Sequence, residues 1–126
     1  MLVAEDNEMN AEIIEELLNL VHMQIDIAEN GKIALEKFAA SSKDTYLAIL
    51  MDIQMPEMNG YEAAKAIRAL SHPRANTIPI YAMTANAYTE DVSAAFNAGM
   101  SGHMAKPVDT QKLYDTLQQL VDEAKN

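Results

Sequence analysis

The chain contains no cysteine, which excludes disulfides, thiolate zinc centres and cysteine nucleophiles and fits a reducing cytoplasm. No apolar run approaches the roughly 18 residues needed to cross a bilayer, and the start lacks the charged-then-apolar order of a secretion signal. A soluble domain with no direct membrane contact is therefore expected. Basic residues are scarce: 9 Lys and Arg stand against 19 Asp and Glu, for a formal net charge of −10. They are also scattered. Affinity for nucleic acid comes largely from cations that neutralise phosphates, so no nucleic acid is expected as a ligand and a protein partner is.

What the chain has is apolar residues, 49% of its 126 positions, enough for one domain whose core is covered on both faces. Its nine Met residues are dispersed and read as core filling rather than copper ligands. Short apolar runs alternate with longer stretches of helical period, the pattern of a parallel sheet with crossover helices. Leu2–Ala4 precedes a helix from about Asn7 to Leu20, in which Ile13, Ile14, Leu17, Leu18 and Val21 form one apolar stripe. Gln24–Ala28 precedes a helix opened by Asn30 and Gly31, with Leu35 and Phe38 inward. Leu47–Met51 is continuously apolar, as a strand buried on both faces should be, and delivers Asp52. A helix over Tyr61–Leu70 ends at Ser71-His72-Pro73, and Ile78–Met83 forms the fourth strand, with Pro79 tolerable only near its start. A helix over Asn86–Ala98 stops at Gly99, Gly102–Ala105 is the fifth strand, and the last helix runs from Asp109 with Leu113, Leu117, Leu120 and Val121 inward.

In an open parallel sheet every strand points its C-terminal end to the same edge, so residues far apart in sequence meet there. That edge collects Glu5 and Asp6 after the first strand, Asp52 after the third, Thr84 after the fourth and Lys106 after the fifth. Clustered carboxylates repel one another and persist mainly where a cation offsets them. Mg²⁺ suits this all-oxygen set better than Zn²⁺. Lys106 offers a compact positive charge to Asp52 or to a phosphoryl oxygen, and the Thr84 hydroxyl can hydrogen-bond the same group. Phosphoryl transfer needs an in-line nucleophile and neutralised equatorial oxygens, and a carboxylate nucleophile gives an acyl phosphate that transfers onward or hydrolyses. Singly, Asp6 or Asn7 would be a helix cap, Lys106 a solvated charge and Thr84 a strand-end hydroxyl bonded to backbone. Their coincidence at one edge favours the site. His22 and His72 read as surface residues.

Five strings, Ala4-Glu5-Asp6-Asn7, Met51 through Gly60, Ala82 through Ala87, Gly99-Met100 and Ala105-Lys106-Pro107, span nearly the whole chain. In this order the sequence resembles the receiver domain of two-component response regulators. The resemblance implies an α/β, flavodoxin-like (βα)5 domain with a five-stranded parallel sheet of order 2-1-3-4-5, phosphorylated on Asp52 by a phosphohistidine of a histidine kinase or histidine phosphotransfer protein. It carries metal binding onto Glu5, Asp6, Asp52 and the backbone carbonyl of Gln54, with Mg²⁺ as the ion and Mn²⁺ able to replace it. It puts phosphoryl contacts on Thr84, Lys106 and, through its backbone, Ala85, and makes the Lys106–Pro107 peptide cis. A domain of this kind assists its own phosphorylation and dephosphorylation and acts as a two-state switch or relay intermediate.

The chain departs from the family at the position three before the lysine, where an aromatic ring often couples to the Thr. Here His103, a smaller and ionisable ring, stands opposite Thr84 in that switch. The Thr84-Ala85-Asn86-Ala87 and Met55-Pro56-Glu57-Met58 strings look like receivers attached to hybrid sensor histidine kinases. A single receiver domain cut from a longer chain is therefore expected, cytoplasmic and tethered to a membrane only through a parent kinase. The helix before Gly99, the last strand and the last helix would form the family's output surface, with Ala87, Ala95 and His103 facing a partner. A weak homodimer is left open. Three other functions compete. A haloacid-dehalogenase-like phosphatase would want an acid where Gln54 stands, and a flavodoxin would want a Ser, Thr and Gly-rich phosphate loop where Glu5 and Asp6 stand. A degenerate receiver acting only as an interaction module would lack part of the acid, hydroxyl and lysine set.

Overall fold

Three asparagines set where helices begin, each by the mechanism that makes Asn a strong N-cap: its side-chain oxygen accepts an otherwise orphaned amide of the first turn. Asn7 accepts from the Asn10 N–H at 3.0 Å, Asn30 from Ile33 at 2.9 Å and Asn59 from Glu62 at 2.9 Å. Glu62 returns the favour by accepting the Asn59 N–H at 3.2 Å, completing a capping box. The computed structural model describes residues 1–84, 89–105 and 109–125. In chain order these form β1 (Leu2–Ala4), α1 (Glu8–Leu20), β2 (Asp26–Ala28), α2 (Gly31–Ala39), β3 (Ile49–Asp52), α3 (Gly60–Arg68), β4 (Ile80–Thr84), α4 (Thr89–Asn97), β5 (Gly102–Ala105) and α5 (Thr110–Lys125).

The strands pair in parallel in the order β2-β1-β3-β4-β5, the flavodoxin-like arrangement. Because strand side chains alternate between faces, β3 divides its residues between two cores. Ile49 and Met51 join Leu2, Ala4, Ile80 and Ala82 under Phe38 of α2, Ile67 of α3 and Ala98 beyond α4. Leu50 joins Val3, Met83 and Met104 under Ile14 and Leu18 of α1 and Leu113, Leu117 and Leu120 of α5. Each such fully buried aliphatic side chain contributes about 1.5–3 kcal/mol by leaving water. The sheet is covered on both faces, so its functional groups emerge only at its edges.

Several sequence expectations are corrected. Ile13 and Val21 are not inward: they are 48% and 43% exposed, because α1 turns Ala11, Ile14 and Leu18 to the core and leaves the neighbouring rows in water. Met9, at 71% exposure, is an exception to methionine as core filling. Pro79 falls just before β4, where its carbonyl accepts the Ile49 N–H at 2.9 Å, so its missing amide costs no ladder bond. The expected partner-facing Ala95 is buried in the α2–α3 side of the core, and Ala87 lies outside the described residues. His72 is not a free surface ring. It stacks on Phe38 at 4.2 Å between centroids, its Nδ1 accepts the Arg74 amide at 3.0 Å and its Nε2 lies 2.8 Å from the Ser41 carbonyl.

Candidate functional site

Strand ends build the site. Glu5 and Asp6 follow β1, Asp52 ends β3 and Thr84 ends β4, on strands adjacent in the sheet. Glu5, Asp52 and Thr84 are buried, at 2%, 5% and 6% exposure, whereas Asp6 is exposed. One carboxylate oxygen from each of Glu5, Asp6 and Asp52 lies within 4.8 Å of the other two. Two buried carboxylates beside a third carry a strong mutual repulsion and a desolvation cost, both of which a bound cation offsets.

The groups present fit a hard divalent ion. An ion with ligands at about 2.1 Å spaces its donor oxygens roughly 3–4 Å apart, so Glu5, Asp6 and Asp52 would hold it after small side-chain adjustments. No histidine or thiolate belongs to the cluster, which is the donor set of Mg²⁺ rather than of zinc.

Local structure fixes each acid. The Glu5 amide donates to the Ala28 carbonyl at 3.0 Å, tying it to β2, and its Oε1 accepts the Asn7 N–H at 3.2 Å. Capping of α1 therefore falls to Asn7, and Asp6 is left to the cluster. Asp52 is held from behind: the next amide, Ile53, donates to the Met83 carbonyl at 3.3 Å, and Ile53 accepts the Gly60 N–H at 2.9 Å. A side chain at Gly60 would overlap the Asp52 carbonyl oxygen and Ile53 Cα, so only glycine lets α3 start this close to the end of β3. Between them, residues 53–59 form a loop with a tight turn at its crest. The Met58 amide donates to the Pro56 carbonyl at 2.7 Å and Glu57 takes a φ of +68°, a conformation that costs a non-glycine residue about 1–3 kcal/mol. Gln54 sits exposed on this loop.

His103 is half-buried on β5 and in register with Ala82, while Ala105 is in register with Thr84. His103 and Thr84 thus share one face of the sheet. Ala85, Lys106 and Pro107, named for phosphoryl contacts and the cis peptide, lie outside the described residues. Sequence reasoning missed Gly60 as a structural support of the acid cluster. The signal was present in the Asn59-Gly60 pair, but its meaning depends on how closely α3 approaches β3.

The family model described as the response regulator receiver domain matches residues 1–118. The chain belongs to that family. Hybrid signal transduction histidine kinase I of Dictyostelium discoideum is 40% identical over 119 residues, 93% of this chain and 7% of that protein. The receiver thus spans only a small part of the curated relatives it matches. Among solved structures, the receiver domain of a sensor histidine kinase from Pseudomonas aeruginosa, with a magnesium ion coordinated in its active-site cleft, superposes with a TM-score of 0.85 at 33% identity, covering 96% of this receiver and 95% of that chain. The receiver domain of Saccharomyces cerevisiae Ssk1, in co-crystal with the histidine phosphotransfer protein Ypd1, gives 0.80 at 28% identity over 91% and 83% of the two chains. Among the described residues no helix is long and apolar enough to cross a membrane.

Proposed function

We propose that this receiver takes a phosphoryl group from a phosphohistidine onto Asp52 in a Mg²⁺-dependent reaction, and serves as a switch or relay intermediate. The observation that carries the reading is the meeting of Glu5, Asp6 and Asp52 within 4.8 Å, two of the three buried. Glu5, Asp6, Asp52 and the Gln54 carbonyl would hold the ion, with Mn²⁺ able to take its place. Bound there, the ion would neutralise phosphoryl oxygens during transfer. A carboxylate oxygen of Asp52 forms the new P–O bond while the donor's P–N bond breaks, and the imidazole nitrogen leaves with the bonding pair. The Thr84 hydroxyl would donate to one phosphoryl oxygen and the Ala85 amide to another, and Lys106 would pair with the remaining charge. His103, sharing a sheet face with Thr84, would respond when that hydroxyl moves.

Hybrid histidine kinases among the relatives support a parent of that kind, with this segment as its cytoplasmic receiver, and the Ypd1 complex of a related receiver supports a histidine phosphotransfer partner. The reaction is tested with acetyl phosphate as a small donor. Mass spectrometry should show one phosphoryl group per chain with Mg²⁺, none with EDTA and none in Asp52→Asn. Label that survives Asp52→Asn would move the acceptor elsewhere, and continuous turnover of a phosphate ester would favour a phosphatase.

A further inference from the structure

The geometry points to Gly31, at the start of α2 and remote in sequence from every acid of the site, as a positioning residue for the loop that follows Asp52; this inference rests on the Mg²⁺-dependent reading above. The Gly31 amide donates to the Met58 carbonyl at 3.1 Å. A Cβ at Gly31 would overlap that same carbonyl oxygen and would stand 3.0 Å from Ala63 Cβ and 3.1 Å from the Asn59 carbonyl. Gly31 is buried. The contact therefore leaves no room for a single methyl group.

Met58 is the residue at which the loop is tightest. Its own amide closes the turn onto Pro56 at 2.7 Å across Glu57 with its positive φ. The loop is thus clamped at two places by backbone-to-backbone approach: at its base, where Gly60 reaches Ile53, and at its crest, where Gly31 reaches Met58. Between the clamps lies Gln54. A strained turn persists only where its surroundings over-determine it, and the crest clamp is one such surrounding.

Which side yields to an added methyl follows from how each side is held. The start of α2 is fixed by the Asn30 cap on Ile33 at 2.9 Å and by Ala34 and Phe38 in the core. The start of α3 is fixed by its capping box. The intervening loop is the softest element, with Gln54, Pro56 and Glu57 exposed. A methyl on Gly31 therefore displaces residues 54–58, and the Asp52–Gln54 backbone moves relative to Glu5 and Asp6. Alanine is the better helix former but must displace backbone to fit, so a structural role alone predicts a change in stability with the Mg²⁺ affinity of the folded protein intact, whereas a positioning role predicts weaker metal binding by the folded protein.

The experiment compares wild type and Gly31→Ala by calorimetric titration with Mg²⁺, with circular dichroism to confirm that both are folded. Outer-shell partners of metal ligands are commonly worth about 10–100-fold in affinity, and a loss of about tenfold or more is expected here. Equal Mg²⁺ affinity in the two proteins overturns the inference while leaving the acceptor reading intact. Absence of Mg²⁺ binding in wild type overturns both. A second measurement needs no variant: because coupling is reciprocal, Mg²⁺ bound to wild type should slow hydrogen exchange of the Gly31 amide. Exchange at that amide unchanged by Mg²⁺ also overturns the inference, whether or not Gly31→Ala folds.

Discussion

Asp26 is the titrating side chain whose surroundings are clearest, and it lies at the sheet edge opposite the acids. Lys37 Nζ and the Tyr46 hydroxyl each donate to its carboxylate at 2.6 Å. Those two bonds, Lys37's first, hold the Asp26 carboxyl below its ordinary value of 3.8, and burial, reinforced by the same carboxylate, raises the Tyr46 hydroxyl. A depressed folded-state pKa stabilises the native state above the unfolded value and loses that stabilisation as pH falls through the folded one. Asp26→Asn should therefore be less stable than wild type at neutral pH, and in urea titrations across pH the difference should shrink as pH falls below about 3.8 and vanish only below the lower folded-state value. The pair is 37% and 41% exposed, so solvent screening limits the loss to about 1 kcal/mol or less. None of this was legible beforehand, because the Asp26 partners come from α2 and from the loop before β3. His72 was misread for the same reason: the ring's partners Ser41 and Phe38 stand on another element, reached only after folding.

Helix α1 shows why apolar period is an incomplete guide to packing. A stripe of five residues is wide enough for a core face, yet Ala11, Ile14 and Leu18 are its buried residues. Hydrophobicity alone does not distinguish the row that meets α5 and the sheet from the row beside it. The two rows should differ in energy. Leu18→Ala opens a cavity and should cost about 2–5 kcal/mol, while Ile13→Ala, half in water, should stay within roughly 0.5–1 kcal/mol, as measured by chemical denaturation. Helix α3 carries a clearer local signal that the reading from Tyr61 onward passed over: Asn59 and Glu62 stand at capping-box spacing, and the box is formed. Asn59→Ala should cost about 1 kcal/mol in the same assay. Strand β3 was legible for a different reason: an uninterrupted apolar run has few other places to go than the middle of a parallel sheet.

Convergence of the acids is a property of the whole sheet, and the sequence carried it because parallel order alone sends every strand end to one edge. Glu5, Asp6, Asp52 and Thr84 could be placed together without any knowledge of distances. The clamps at Gly31 and Gly60 could not, since they depend on how closely α2 and α3 approach the loop between Ile53 and Asn59. An acid cluster of this kind has a thermodynamic signature. Without metal, removing one charge should relieve repulsion, so Asp52→Asn should be more stable than wild type by about 1 kcal/mol. With metal, a ligand that binds only the native state raises stability by RT ln(1 + [L]/Kd), a gain that Asp52→Asn forfeits at least in part.

Thermal unfolding of wild type and Asp52→Asn, each with EDTA and with saturating Mg²⁺, therefore decides whether the three acids hold the ion. Mg²⁺ should raise the Tm of wild type by about 3–5 °C per kcal/mol of binding stabilisation for a domain of this size, and should raise that of Asp52→Asn far less, from a higher metal-free starting point. A wild-type Tm indifferent to Mg²⁺, or an Asp52→Asn protein that gains as much from the ion as wild type does, would contradict it.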